Sequence, residues 1–350
     1  LTRSFTLTAI AALALAGCQQ SGSSGGGSGG ARDQIRAVGS STVYPFTTAV
    51  AEQFARKNAG FKAPIVESTG TGAGMKLFCA GVGTQYPDIE NASRQIKKSE
   101  LDDCVKNGVK DIIEIQIGID GIALAESKAG PALGLTQEDV YKALAANPYG
   151  KPQTAKTWKD INPALPAVEI KVYGPPPTSG TRDAFSELIM EKGCDANPEM
   201  EKLKDADKDK HKDVCTKVRE DGVYVESGEN DNLIVQKLIA NPDAVGIFGY
   251  SFLEENADKV RGIALKGVVP TYDSIADYSY PGARPLYIYV KGAHLKAVPG
   301  LKEFVAEYAS AWEKGGYLTR RGLIAAPDDV RAKNAEIART LSLLDPATVK

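Results

Sequence analysis

Three times along this chain a run of branched apolar residues stops in a turn of Gly, Ser and Thr and then passes into helix-periodic sequence. The turns are Ser40-Ser41-Thr42, Thr69-Gly70-Thr71-Gly72 and Thr178-Ser179-Gly180-Thr181. The strands before them are predicted at Ile35–Val38, Pro64–Glu67 and Val168–Tyr173, and the helices after them at Pro45–Lys57, from Met75, and at Asp183–Lys192. A fourth unit takes the strand Pro87–Asn91 through Ala92-Ser93-Arg94 to a helix at Ser99–Asn107. Such alternation predicts an α/β fold, parallel-dominated, with helices on both faces of the sheet. A long apolar strand, Ile112–Ala125, carries Asp120-Gly121 in its middle and is expected to cross between two lobes with a hinge there. Helices at Thr136–Ala145 and Asn232–Ala240 and a strand at Val245–Gly249 extend the pattern, and Pro285–Val290 is the expected return crossing. The charged stretch Glu199–Glu220 reads as a solvated helical excursion.

The chemistry concentrates in the turns. The first N–H groups of a helix lack backbone partners and carry the positive end of its dipole. Gly admits a ligand close to the backbone, and short hydroxyls add donors of adjustable direction. Each turn is therefore a candidate anion site, and in an open α/β sheet such turns lie at the strand ends where ligands bind. With Arg94 and Arg182 nearby, the turns are able to surround one tetrahedral oxyanion. The plainer reading, that these Ser and Thr only cap helices, stays open for Ser41-Thr42 in particular. Gly70-Thr71-Gly72-Ala73-Gly74 stops one residue short of a dinucleotide fingerprint, and no phosphate-binding loop of the G-x-x-x-x-G-K-[ST] kind occurs, so a nucleotide is not indicated.

Composition narrows the classes further. Lys and Arg number 42 against 44 Asp and Glu, a formal net charge of −2, without the basic excess expected of a nucleic-acid binder. Only two His occur, His211 and His294, which leaves little material for a zinc site or a Ser-His nucleophile; neither metal nor cofactor is expected.

The N-terminus reads as an export signal over residues 1–18. One Arg precedes an apolar run too short to span a bilayer, and it ends in Leu15-Ala16-Gly17-Cys18, which resembles a bacterial lipobox with Cys18 as the lipid anchor. Residues 19–31, Gly- and Ser-rich, form a tether that holds the folded body clear of the lipid. In an oxidising compartment the remaining Cys79, Cys104, Cys194 and Cys215 are expected as two disulfides. Of three pairings, 79 with 104 and 194 with 215 is favoured, since each closes a local loop. Four reduced, buried thiols are the alternative.

Taken in order, several pieces resemble one family. They are Val38-Gly39-Ser40-Ser41-Thr42-Val43-Tyr44-Pro45, Gly70-Thr71-Gly72-Ala73-Gly74-Met75-Lys76, Ala92-Ser93-Arg94, Ser179-Gly180-Thr181-Arg182-Asp183 and Arg284-Pro285-Leu286-Tyr287-Ile288-Tyr289-Val290. The chain resembles the phosphate-binding, periplasmic component of Pst-type ABC transporters over essentially everything after the tether. The resemblance implies a two-lobed periplasmic-binding-protein fold of type II-like form with the ligand cleft between the lobes. Lobe 1 would be 32–118 plus 291–350, and lobe 2 would be 119–290. It places phosphate contacts on Thr42, the Val43 backbone, Thr71, Ser179, Gly180 and Thr181, and the turns themselves add Ser41, Gly72, Arg94 and Arg182.

Two departures from the family pattern bear on selectivity. Well-known members carry an Asp, acceptor of the phosphate proton, where this chain has Arg94, and an Arg where it has Pro175; here Arg182 follows the motif instead. The Ser-Arg and Gly-Thr-Arg-Asp variant resembles a branch of the same family in which the cation has moved. A buried acceptor rejects sulfate by setting lone pair against lone pair. Asp183 is the candidate acceptor, with Glu67, Asp120, Glu226 and Glu229 as alternatives.

These features together predict a lipid-anchored, monomeric receptor in the periplasm or cell envelope. It would capture inorganic phosphate for a transmembrane permease, with no covalent step. Rivals are a phosphatase-like hydrolase on the same fold, a receptor for another tetrahedral oxyanion, and a scaffold that has lost its ligand.

Overall fold

A computed structural model describes residues 32–228 and 231–349. The export signal, Cys18, the Gly/Ser tether and Glu229 lie outside the described residues.

Eleven strands are found among the described residues: β1 Arg36–Gly39, β2 Ile65–Ser68, β3 Ile89–Ala92, β4 Ile112–Ser127, β5 Gly134–Leu135, β6 Val172–Gly174, β7 Tyr224–Glu226, β8 Val245–Gly249, β9 Val260–Gly262, β10 Ala264–Leu265 and β11 Ala283–Lys291. The main sheet runs β2-β1-β3-β11-β4-β8-β6-β7, with β9 also on β4, while β5 and β10 pair apart. The flanks are parallel, as expected: β1 with β2 and β3, and β6 with β7 and β8. The centre is not, because β11 is antiparallel to both β3 and β4, and β4 is antiparallel to β8 and β9. The sheet is thus mixed. Helical crossovers set the parallel flanks, whereas the two long central strands run opposite ways through the middle.

β4 pairs with different strands along its length. Residues 112–121 pair with β11, then Ile122–Glu126 pair with β8, so the strand changes partner just beyond Asp120-Gly121. Pro285 sits inside β11 opposite Ile119, whose N–H and carbonyl are both taken by Ile324 at 2.8 and 3.0 Å. A residue with no N–H therefore leaves nothing unpartnered at that rung.

The period-2 pattern assigns the cores. Ile113, Ile115 and Ile117 join Leu286, Ile288 and Val290 against Phe46, Phe54, Phe304 and Trp312. Ile112 and Tyr289 face the other way, onto Met75, Phe78 and Leu101. Beyond Ile119 a separate core gathers Leu124, Tyr141, Trp158, Phe185 and Phe248.

The first six α-helices among the described residues all lie between β1 and β7. α1 is Tyr44–Lys57, α2 Thr71–Phe78 and α3 Lys98–Lys106; α4 is Gln137–Leu144, α5 Trp158–Ile161 and α6 Gly180–Phe185. α6 continues without a break through a π turn to Cys194. α2 starts four residues before the expected Met75. Thr71, Gly74, Met75 and Phe78 form its buried stripe, and the glycines that read as loop are its first turn. Gly74 is needed there: a Cβ would stand 2.6 Å from Gly39 Cα. β6 is shorter than predicted because Val168 and Ile170 bond to Trp158 and Lys156 before the chain reaches the sheet.

Both favoured cysteine pairs form. Cys79–Cys104 ties the end of α2 to α3, and Cys194–Cys215 clips the charged excursion. That excursion is two short helices, Pro198–Ala206 and Lys208–Thr216, the first with no buried residue.

Candidate functional site

The turns converge at the carboxyl ends of their strands, in two contacting pairs. The first pair joins elements 138 residues apart. Thr42, buried at the start of α1, donates through Oγ1 to the Gly180 carbonyl at 3.2 Å, and Ser41 Oγ donates to the Asp183 carboxylate. The backbones touch closely enough that a Cβ on Gly180 would lie 2.8 Å from Thr42 Cα. In the second pair, Thr71 Oγ1 lies 3.1 Å from Ser93 Oγ and accepts from the Ser93 N–H at 3.1 Å. The pairs are stitched together through Gly39, whose carbonyl accepts from the N–H groups of Thr69 and Gly70 at 2.8 Å, and through Ser40, whose N–H donates to Asn91.

Capping is shared differently from the sequence reading. No side chain caps α1 at its N-cap Val43; in the turn before it Ser40 Oγ accepts from the N–H groups of Thr42 and Val43 at 3.2 and 3.4 Å. At α6 the N-cap is Ser179, which accepts from the Thr181 N–H at 3.2 Å. The N-cap of α2 is Gly70, whose φ of 77° lies in the left-handed region, with no side chain capping the helix and Gly72 exposed at its second residue. Three helix starts thus bring N–H groups and buried hydroxyls to one edge, a setting that suits an anion.

The two expected guanidinium groups are engaged elsewhere. Arg94 makes a two-pronged pair with Glu100 at 2.9 and 2.7 Å and also donates to the Gln95 carbonyl. Arg182 donates to the Pro175 carbonyl at 3.1 Å and lies over the Tyr224 ring, 4.6 Å from its centroid.

The cation at the turns is one the sequence reading missed. Arg284 of β11 is only 5% exposed. Its Nη2 donates to Thr42 Oγ1 at 2.8 Å, its Nε to Asp120 at 3.1 Å and its Nη1 to Glu187 at 2.6 Å. Asp120 is its register partner across the β4–β11 ladder. Burial pushes the Asp120 carboxyl up, with the Arg284 charge pulling against it. A recess of about 540 Å³ opens beside this group, lined by Ser93, Arg94, Glu187 and Arg284 among others. The available signal was an Arg in an otherwise apolar crossing strand facing an Asp in another, which only the strand pairing reveals.

The other acceptor candidates are dispersed. Glu67 pairs with Arg36, Glu226 is exposed at the end of β7, and Asp183 holds Ser41. A carboxyl not singled out in the sequence, Glu90, is fully buried on β3 against Gly39 and Gly74 with no hydrogen-bond partner on either oxygen. Burial holds it well above the ordinary carboxylate range, Arg94 offsetting this only in part.

Neither His touches the turns. His294 donates from Nδ1 to Asp88 and accepts the Gly83 N–H at Nε2, and His211 pairs with Asp195. Cys194, His211 and Cys215 cluster, but both sulfurs are in the disulfide. Among the described residues no helix is long and apolar enough to cross a membrane.

A family model described as a PBP superfamily domain matches residues 24–311. A phosphate-binding protein PstS of Staphylococcus saprophyticus is 33% identical over 332 residues, 92% of this chain and 89% of that protein. The protein SphX of Synechococcus elongatus is 31% identical, over 85% of this chain and 78% of its own length. Among solved structures, a possible phosphate binding protein from Planctomyces limnophilus superposes with a TM-score of 0.71 at 30% identity, covering 88% of this chain and 98% of that one.

Proposed function

The chain belongs to the PBP superfamily, among the phosphate-binding proteins of the Pst type, and on that premise we propose that it captures inorganic phosphate in the cell envelope and delivers it to the permease of an ABC transporter. It is a binding protein and not an enzyme, in keeping with its relatives, and the hydrolase reading falls with that. The observation that carries the proposal is the contact of Thr42 with Gly180 and Arg284, where two helix starts and a buried guanidinium meet.

In this reading the lobes are 32–118 with 291–350 and 119–290, and β4 and β11 run between them. Phosphate lies among Ser41, Thr42, the Val43 N–H, Thr71, Gly72, Ser179, Gly180 and Thr181, taking over the donors that Ser40 and Ser179 now hold. Arg94 and Arg182 contribute charge from the rim, since both are held by other partners. Many donors around a dehydrated anion give tight binding without a metal. Cys18 carries the lipid and residues 19–31 the tether, keeping a monomeric receptor at the membrane surface.

Calorimetric titration with phosphate, sulfate and molybdate at fixed salt tests the proposal. Phosphate is expected to bind in preference to sulfate. Absence of phosphate binding, or sulfate bound equally well, overturns it.

A further inference from the structure

Resting on the phosphate reading, the geometry points to Arg284 as the guanidinium that pairs with the bound anion, and to Glu187 as a carboxylate that covers Arg284 until the anion displaces it. Arg284 spends its nitrogens unequally. Nε is fixed to Asp120, its ladder partner, whose side chain is 17% exposed. The two outer nitrogens face the turns: Nη2 reaches Thr42 Oγ1 and Nη1 reaches Glu187. Because both belong to one guanidinium, the Glu187 carboxylate and the Thr42 hydroxyl stand side by side at the edge of the fork. That edge matches two oxygens of a phosphate as well as it matches a carboxylate.

The partners differ in how readily they leave. Asp120 is enclosed and tied to the crossing strands. The Glu187 side chain is 56% exposed, on the π turn that follows α6, beside the recess lined by Ser93 and Arg284. Withdrawing it returns a carboxylate to water at little cost, whereas moving Arg284 away would strand Asp120. A dianion arriving between the helix starts therefore takes the outer edge of Arg284 and Glu187 swings out. The other nearby guanidiniums cannot substitute without breaking existing pairs, Arg94 with Glu100 and Arg182 with Pro175 and Tyr224. Glu187 then acts as an internal competitor: it lowers apparent affinity by the fraction of molecules whose Arg284 it occupies, and its charge repels the incoming anion.

Phosphate titrations at fixed ionic strength on the full chain test this with three variants. Arg284→Gln is expected to weaken phosphate binding on the order of 100-fold. Glu187→Gln is expected to tighten it by roughly 3- to 10-fold. The double variant Arg284→Gln with Asp120→Asn, which leaves no lone buried charge, guards against misfolding and is expected to lose phosphate as the single variant does while melting near wild type. If wild type binds phosphate but the Arg284 variants bind within a few-fold of it, the assignment of Arg284 is overturned and the phosphate reading stands. Weaker binding by Glu187→Gln overturns the competitor role. No phosphate binding by wild type removes both the reading and this inference.

Discussion

Ser41 Oγ donates to the Asp183 carboxylate, joining the start of α1 to the first turn of α6 across 142 residues of sequence. The bond commits one oxygen of Asp183 to holding the two turns together, not to meeting a proton on the anion. Asp183 is solvent-exposed, so the bond is worth at most about 1 kcal/mol. Asp183→Ala is therefore expected to weaken phosphate binding by about 5-fold with the phosphate-to-sulfate ratio unchanged. Titration with both anions checks this, and a collapse of the ratio would return the proton-acceptor role to Asp183.

Gly180 lets the turns before α1 and α6 touch. Its backbone is not in the left-handed region, so Ala fits α6 and even favours it by about 0.5–1 kcal/mol. Yet the new methyl would sit 2.8 Å from Thr42 Cα and 3.0 Å from the Ser41 carbonyl oxygen, both backbone atoms of the other turn. Overpacking of this kind costs about 1–3 kcal/mol. Gly180→Ala should melt a few degrees below wild type, the overpacking outweighing the helix gain, and bind phosphate 5- to 100-fold more weakly.

The Cys194–Cys215 bridge closes a span of 21 residues around helices that bury little of their own. Its main effect is on the unfolded chain, where a loop of this size is worth about 3 kcal/mol. Cys194→Ala with Cys215→Ala is expected to lower the melting temperature by several degrees and to leave phosphate affinity within about 2-fold, since neither sulfur contacts the turns. Calorimetric melting and titration of the same sample distinguish the two effects.

The turns were legible because their chemistry is local. Gly, Ser and Thr between a strand and a helix mean the same thing in sequence as in the structure, and the contacts of Thr42 with Gly180 and of Thr71 with Ser93 follow from strands ending at one edge. The disulfides were legible for the same reason. What escaped were relations that exist only once strands pair. Arg284 and Asp120 stand 164 residues apart and meet through the β4–β11 register. The pairing of Arg94 with Glu100, six residues on at the start of α3, likewise appears only in the folded chain. The start of α2 was misplaced because Gly72 and Gly74 score as breakers, although Gly74 is what lets the helix lie against Gly39.

Glu90 makes the stability of the fold depend on pH. Its carboxyl is enclosed between Gly39 and Gly74 without a hydrogen-bond partner, and burial raises its pKa well above the ordinary 4.5. The folded chain thus holds this proton to higher pH than the unfolded chain does. Such a group supports folding fully below its unfolded pKa and loses that support as pH climbs through the folded value. Gln matches the protonated acid in shape and never ionises. Glu90→Gln should therefore melt like wild type near pH 4 and progressively above it as pH rises toward 8. There the gain arises because wild type alone must either bury a charge or keep a proton that the unfolded chain releases. Melting curves from pH 4 to 8 read this directly. A Glu90→Gln variant less stable than wild type at pH 8 would mean that the ionised carboxylate has a partner at this position and that its enclosure against Gly74 is not what governs it.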